Sequence, residues 1–150
     1  MQNSILQLEN IISTYGPLLQ NLDEQNASFK PLPNKWSKKE LIGHLIDSAQ
    51  NNVRRFIVAQ YEDKPFIKYA QDHWVTAADY QNYPLKDLIS LWKLFNLHMV
   101  RVLKNIPAGM EKSEVLSEAL HSIEWLTADY NKHLLHHLHQ VLALEEVAYP

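Results

Sequence analysis

The chain contains no cysteine among its 150 residues. Disulfides, thiolate metal sites and cysteine nucleophiles are therefore excluded, and the composition suits a reducing compartment. Glycine is scarce, at three residues, which disfavours a turn-rich β-protein and suits helices. No apolar run approaches the roughly 20 residues that cross a bilayer. No basic patch marks a nucleic-acid surface. The start, Met1-Gln2-Asn3-Ser4, lacks the basic and apolar segments of a signal peptide. The expected location is the cytoplasm, with neither a membrane nor a nucleic acid as partner.

What is present is globular. Hydrophobic residues make up 46% and charged residues 21%, with a net charge of -3. Residues 1–150 are the length of one ordinary domain, long enough to bury a core without staples. Histidine is the unusual count. There are eight, and His133, His136, His137 and His139 fall within seven residues.

Four main helices are predicted. The first runs from about Ser4 to Asp23, with Ile5, Leu8, Ile12, Tyr15 and Leu19 at helical spacing. Gly16-Pro17 should kink or split it. The second has the clearest start. Ser37 with Glu40 three residues on is a capping box, and Trp36 with Leu41 suits a hydrophobic staple. It should reach about Gln60. A long crossover from Tyr61 to Tyr83, rich in aromatics, should pack on the bundle with a short helical turn. The third helix starts at Pro84 and ends near Asn105, before Pro107, with Trp92, Phe95, Met99 and Leu103 inward. A short helix is expected over Ser113–Ala119, and the fourth main helix over Ser122–Glu145. The fold class is all-α: a four-helix bundle with a long crossover between helices 2 and 3.

On a wheel of about 100° per residue, Leu126, Tyr130, Leu134, Leu138 and Val141 form one apolar stripe. His137 lies inside it and His133 at its side, so this i, i+4 pair projects inward together. His136 lies farther round, and His139 points mainly outward. The second helix carries a matching anomaly. Leu41, Ile42, Leu45, Ile46, Ala49, Val53 and Phe56 mark its buried face, yet His44, Ser48, Asn51 and Arg55 form a polar row along one edge. Buried polar groups need partners, and a pocket lined from both helices would satisfy both rows. Two imidazoles one turn apart, with a third from another helix, make a metal clamp. Three histidines plus an open position is a catalytic rather than a structural arrangement. A divalent ion is the expected cofactor, with zinc or nickel leading; iron and copper also accept imidazole. His133-Leu-Leu-His136-His137 lacks the glutamate of a zincin motif, which argues against a peptidase.

The segments Trp36-Ser-Lys-Lys-Glu-Leu-Ile-Gly-His-Leu-Ile-Asp47 and Trp125-Leu-Thr-Ala-Asp-Tyr-Asn-Lys-His-Leu-Leu-His-His-Leu-His-Gln-Val141 resemble the DinB-like superfamily. Tyr69-Ala-Gln-Asp-His-Trp-Val75 resembles its crossover. The resemblance implies an up-down-down-up four-helix bundle and a metal held by three histidines, which fall here on His44, His133 and His137. It also implies a choice of activities, from metal-dependent hydrolysis to the transfer of low-molecular-weight thiols onto electrophiles.

Around these ligands, Asp47 and Asp129 are candidates to orient an imidazole through its second N–H, against an ordinary surface charge. Arg55 suits an ion pair slightly better than an anionic substrate group. Gln140 suits the pocket or a packing role. Trp36, Trp74, Trp92 and Trp125 are expected in the core, and His73, His98 and His121 at the surface or in packing. The leading expectation is a metal-dependent thiol transferase or hydrolase acting on a small electrophile, with no catalytic base assigned. The rival is a non-enzymatic metal- or ligand-binding bundle. Aromatics of the crossover suit either a homodimer interface or intrachain packing.

Overall fold

The structure, a computed structural model, describes residues 1–149. Its helices are α1 (Gln2–Gln20), α2 (Glu24–Ser28), α3 (Lys38–Val58), α4 (Gln71–Ala77), α5 (Leu85–Lys104) and α6 (Ile123–Leu142). Two short strands, β1 (Glu114–Leu116) and β2 (Leu120–Ser122), form a hairpin before α6. The four long helices α1, α3, α5 and α6 form the bundle. α3 and α1 each pack against both α5 and α6.

Named contacts fix the helix directions. Met1 meets Glu124, Asn131 reaches the Ser4 carbonyl, and Tyr15 meets His139, so α1 and α6 run parallel. Glu9 meets Lys104 and Gly16 meets Trp92, so α5 runs against α1. His44 meets His133, while farther along α3 Arg55 feels the charge of Asp129, so α3 runs against α6. The order is up, down, down, up. Consecutive parallel helices need a connection that returns the length of the bundle, which is why the crossover is long.

The apolar stripes read from the sequence are the core. Ile5, Leu8, Ile12 and Leu19 meet Ile42, Leu45, Ile46, Ala49 and Phe56, with Trp92, Met99, Leu103, Leu126, Tyr130, Leu134 and Leu138, all buried. Inside this core, Tyr130 donates to Asn96 Oδ1 at 2.7 Å and Asn96 donates to the Trp92 carbonyl, so both polar side chains are satisfied. The capping box at Ser37 and Glu40 is present in full.

Several expectations are corrected. α1 is continuous through Gly16-Pro17. Pro17 and the Ser13 carbonyl whose partner it removes lie on the exposed face, where water replaces the lost donor. Glu114–Ser122 is a hairpin, not a helix. Its alternation buries Val115 from one face, and Leu116 pairs with the crossover at Phe66 through the Ile67 N–H and the Pro65 carbonyl. α6 stops at Leu142, where Ala143 turns into the left-handed region. The chain then doubles back along α6, with the His136 imidazole donating to the Val147 carbonyl. Of the tryptophans only Trp92 is fully buried. Trp36 and Trp74 are half-buried, and Trp125 is 46% exposed, stacked on His121 at 3.6 Å between ring centroids. A two-residue polar-apolar pattern and a surface indole both look apolar to a helical wheel.

Gly43 marks a close approach on α3. A Cβ there would lie 2.1 Å from the Tyr80 ring, which sits over this turn and donates its hydroxyl to Asp47 at 2.6 Å. On an open helix face Gly→Ala stabilises by about 1 kcal/mol. Here Gly43→Ala should instead destabilise by about 1–3 kcal/mol, because the ring must move. Urea unfolding checks the sign; a gain in stability would show that Tyr80 is not seated there.

Candidate metal centre

His44 comes from the second turn of α3, and His133 and His137 from one face of α6. The bundle brings the two helices together, and one ring nitrogen from each histidine lies within 4.8 Å of the others. His44 Nε2 and His133 Nε2 are 3.0 Å apart. Two nitrogens bound at about 2.1 Å to one ion in adjacent positions lie about 3 Å apart, so the spacing suits shared ligation. The rings meet edge to face, with centroids 4.6–5.0 Å apart.

The hydrogen bonds around the triad decide which nitrogens are available. His136 Nδ1–H donates to the Val147 carbonyl at 2.6 Å, so its Nε2 accepts from Gln140 Nε2 at 2.9 Å. That orientation of the Gln140 amide turns its Oε1 to the His137 Nδ1–H, also at 2.9 Å. His137 Nε2 is left with a free lone pair. His139 is spent in the same way. Its Nδ1–H donates to the Glu145 carbonyl and its Nε2 accepts from the Tyr15 hydroxyl. His139 is therefore half-buried against α1 rather than pointing outward. The tail that follows α6 thus separates the four clustered histidines by role.

Electrostatics keep the triad neutral. Burial, and then His137, push His44 down to about 4. Burial, reinforced by the three neighbouring imidazoles, holds His133 far below the usual histidine range. Burial also lowers His137, partly offset by its bond to Gln140. Neutral imidazole is the form that binds a metal. Two buried atoms lack hydrogen-bond partners in this region: His44 Nδ1 and Asp47 Oδ2. The convergent lone pairs of three neutral imidazoles fit a site completed by an ion better than a closed core.

His44 and His133 line a cavity of about 630 Å³, bounded by α3, the crossover, the hairpin turn and α6. Ser48, Asn52 and Arg55 continue its α3 wall, so the polar row of α3 does face a pocket. Asn51 does not reach the cavity; it is buried and donates back to the Asp47 carbonyl. Asp129 lines the α6 wall and accepts from the Tyr149 hydroxyl at 2.9 Å, not from an imidazole. Asp47 accepts from Tyr80 and makes no hydrogen bond to His44. Arg55 makes no ion pair among the described residues. It donates to the Ile67 carbonyl and to Asn52 Oδ1, which corrects the expected carboxylate partner. Tyr69, Lys68, Glu118 and Tyr149 also line it and were missed from the sequence. They lie on the crossover, the hairpin turn and the tail, where no periodicity announces an inward side chain.

A helical bundle whose α3 and α6 bring three imidazoles together beside a cavity defines a class of three-histidine bundle proteins. The chain belongs to the DinB superfamily, whose family model matches residues 7–141. A "putative metal-dependent hydrolase" of Halalkalibacterium halodurans is 28% identical over 92% of this chain and 82% of its own length. Another from Bacillus mycoides is 27% identical over 73% of this chain and 64% of its own. Among solved structures, YfiT from Bacillus subtilis, described as "a probable metal-dependent hydrolase with an unusual four-helix bundle topology", superposes with a TM-score of 0.84. It is 17% identical, over 95% of this chain and 83% of that one. A mycothiol-dependent maleylpyruvate isomerase superposes at 0.80 with 15% identity, over 97% of this chain and 61% of its own. At such identities these structures speak for the fold. No helix among the described residues is long and apolar enough to cross a membrane.

Proposed function

We propose that this protein holds a divalent metal ion through His44, His133 and His137 and uses it on a small electrophilic substrate. The observation that carries this reading is the convergence of three neutral imidazole nitrogens, two of them, from His44 and His133, at the wall of a cavity of about 630 Å³. An ion bound there supplies a nucleophile at neutral pH, from water or from a thiol brought by the substrate. The names of the curated relatives support hydrolysis. The absence of cysteine in the chain means that a thiol-transfer reaction would need an external low-molecular-weight thiol. Zinc and nickel both suit an all-imidazole set with open positions.

The chain's own residues divide the remaining work. Gln140 fixes the His137 tautomer with Nε2 free. Burial holds His44 and His133 deprotonated. Asp129, one helical turn before His133, lines the cavity and accepts the Tyr149 hydroxyl on one oxygen, and it is our candidate to accept a proton there. Asp47 and Gln140 shape the surroundings of the ligands rather than touching substrate.

Metal content and turnover test the reading together. Protein purified without an affinity tag should carry about one zinc or nickel per chain by elemental analysis. Activity on a panel of esters, amides and thiol-plus-electrophile pairs should vanish on chelation and return with added ion. Failure to take up zinc or nickel at micromolar concentration would overturn it.

A further inference from the structure

Arg55 is a feature of the cavity that the metal reading leaves unexplained. It lies eleven residues beyond His44 on α3, about three turns or 16 Å along the axis. Its half-buried guanidinium lines the same cavity. Guanidinium has five N–H donors, and three hydrogen bonds account for part of them. Nε and Nη2 donate to the Ile67 carbonyl at 3.2 and 3.1 Å, and Nη1 donates to Asn52 Oδ1 at 3.3 Å. One N–H on each terminal nitrogen is unspent.

All of its partners are neutral. No carboxylate of the described residues comes within ion-pairing distance, although burial lowers its pKa as expected for a charge taken from water. The nearby acids are engaged elsewhere. Glu118 pairs with Lys68 at 2.9 Å along the opposite wall, and Asp129 receives the Tyr149 hydroxyl. A desolvated cation that touches no carboxylate, and feels Asp129 and Glu118 only at longer range, is costly. Its position is nevertheless held rigidly, because Ile67 is fixed by its own N–H bond to the hairpin at Leu116. A rigid, unsatisfied guanidinium fork matches one group above others, a carboxylate bound bidentately.

We propose that the cavity takes an elongated ligand bearing a carboxylate, which Arg55 anchors, while the reacting end lies at the histidine triad. This deepens the proposed function by naming the substrate class, and it rests on that reading for the reacting end alone. The anion site itself belongs to Arg55.

Linear dicarboxylates from succinate to suberate, with their diamides as neutral controls, serve as probes. One carboxylate reaches the ion, the other Arg55, and chain length measures the span. In the zinc-loaded protein, affinity by calorimetry should peak at one chain length and exceed that of the matching diamide at least tenfold. The Arg55 Nε–H resonance should shift with the dicarboxylate and not with the diamide. Arg55→Lys should keep a reduced preference. Arg55→Met should cut the preference at least fivefold, to what the ion alone gives, and remove its dependence on chain length, with zinc content unchanged. A wild-type protein that binds acid and amide equally, or an Arg55→Met protein that keeps the full preference, would overturn the proposal. If the protein takes up no zinc, the metal reading fails by itself. The Arg55 resonance should then still respond to dicarboxylate, with no dependence on chain length, and silence there would sink the anion site as well.

Discussion

Replacing His133 with alanine is expected to abolish metal uptake at micromolar ion while the helices stay intact. His133 is the centre of the triad. Its Nε2 lies 3.0 Å from that of His44, and its ring meets both other imidazoles. Losing an outer partner of a ligand typically costs 10–100-fold in affinity, so losing a direct ligand should cost about 1,000-fold or more. The fold should tolerate the change, because the ring faces a cavity rather than the packed core of Leu134 and Leu138. The readout is thermal. Zinc at a hundredfold excess over its dissociation constant should stabilise the wild type by about 2.7 kcal/mol, and His133→Ala should show no zinc-dependent shift. A variant that still gains stability from zinc would place the ion elsewhere.

Asp47→Asn is expected to make the metal-free protein more stable at neutral pH. Asp47 is 2% exposed, one of its oxygens has no partner, and burial raises its carboxyl from 3.8 to about 6, opposed by the bond from Tyr80. Between about pH 4 and 6 the folded protein holds a proton that the unfolded chain has lost. Stability from this group is full below pH 4 and declines as the pH rises through 6. The shift from 3.8 to about 6 caps the cost at about 3 kcal/mol. Asparagine keeps an acceptor for Tyr80 and does not titrate. The stability gap between variant and wild type should therefore widen by roughly 1 kcal/mol from pH 5 to pH 7.5. His44 and His133 push the other way, their lowered values favouring the folded state as pH rises, but both proteins share them and the difference isolates Asp47. Urea unfolding at the two pH values measures it; a gap independent of pH, or a less stable variant at pH 7.5, would refute the account.

The bundle was legible because its information is periodic. Leu8, Leu45, Trp92 and Leu134 each recur in stripes that a wheel detects, and Ser37 with Glu40 announces α3. His44 and the His133–His137 pair were legible because they interrupt such stripes. What escaped lies where spacing carries no signal. The hairpin at Glu114–Ser122 is too short for a two-residue alternation to stand out, and its first strand pairs with Phe66, fifty residues before Leu116. Tyr149 enters the cavity through a reversal at Ala143, a residue that seldom adopts the left-handed backbone it has here. The role of His139 changed for the same reason, since Glu145 and Tyr15 reach it from the tail and from α1. Arg55 was placed on the correct edge of α3, but its partner is a carbonyl of the crossover, and backbone acceptors leave no trace in side-chain patterning.

The two walls of the cavity are built from different material. The triad stands on α3 and α6, inside the packed bundle, where most substitutions disturb the core. The opposite wall comes from residues 68–72 of the crossover and from Ser117 and Glu118 at the hairpin turn, segments with little buried surface. Loops of that kind accept insertion and exchange far more readily than the elements they join. The chemistry, with the Arg55 anchor on α3, and the shape of the cavity mouth are thereby separately heritable. A lineage could redraw the mouth of the cavity many times over, trading one ligand for another, while passing on the same three imidazoles untouched.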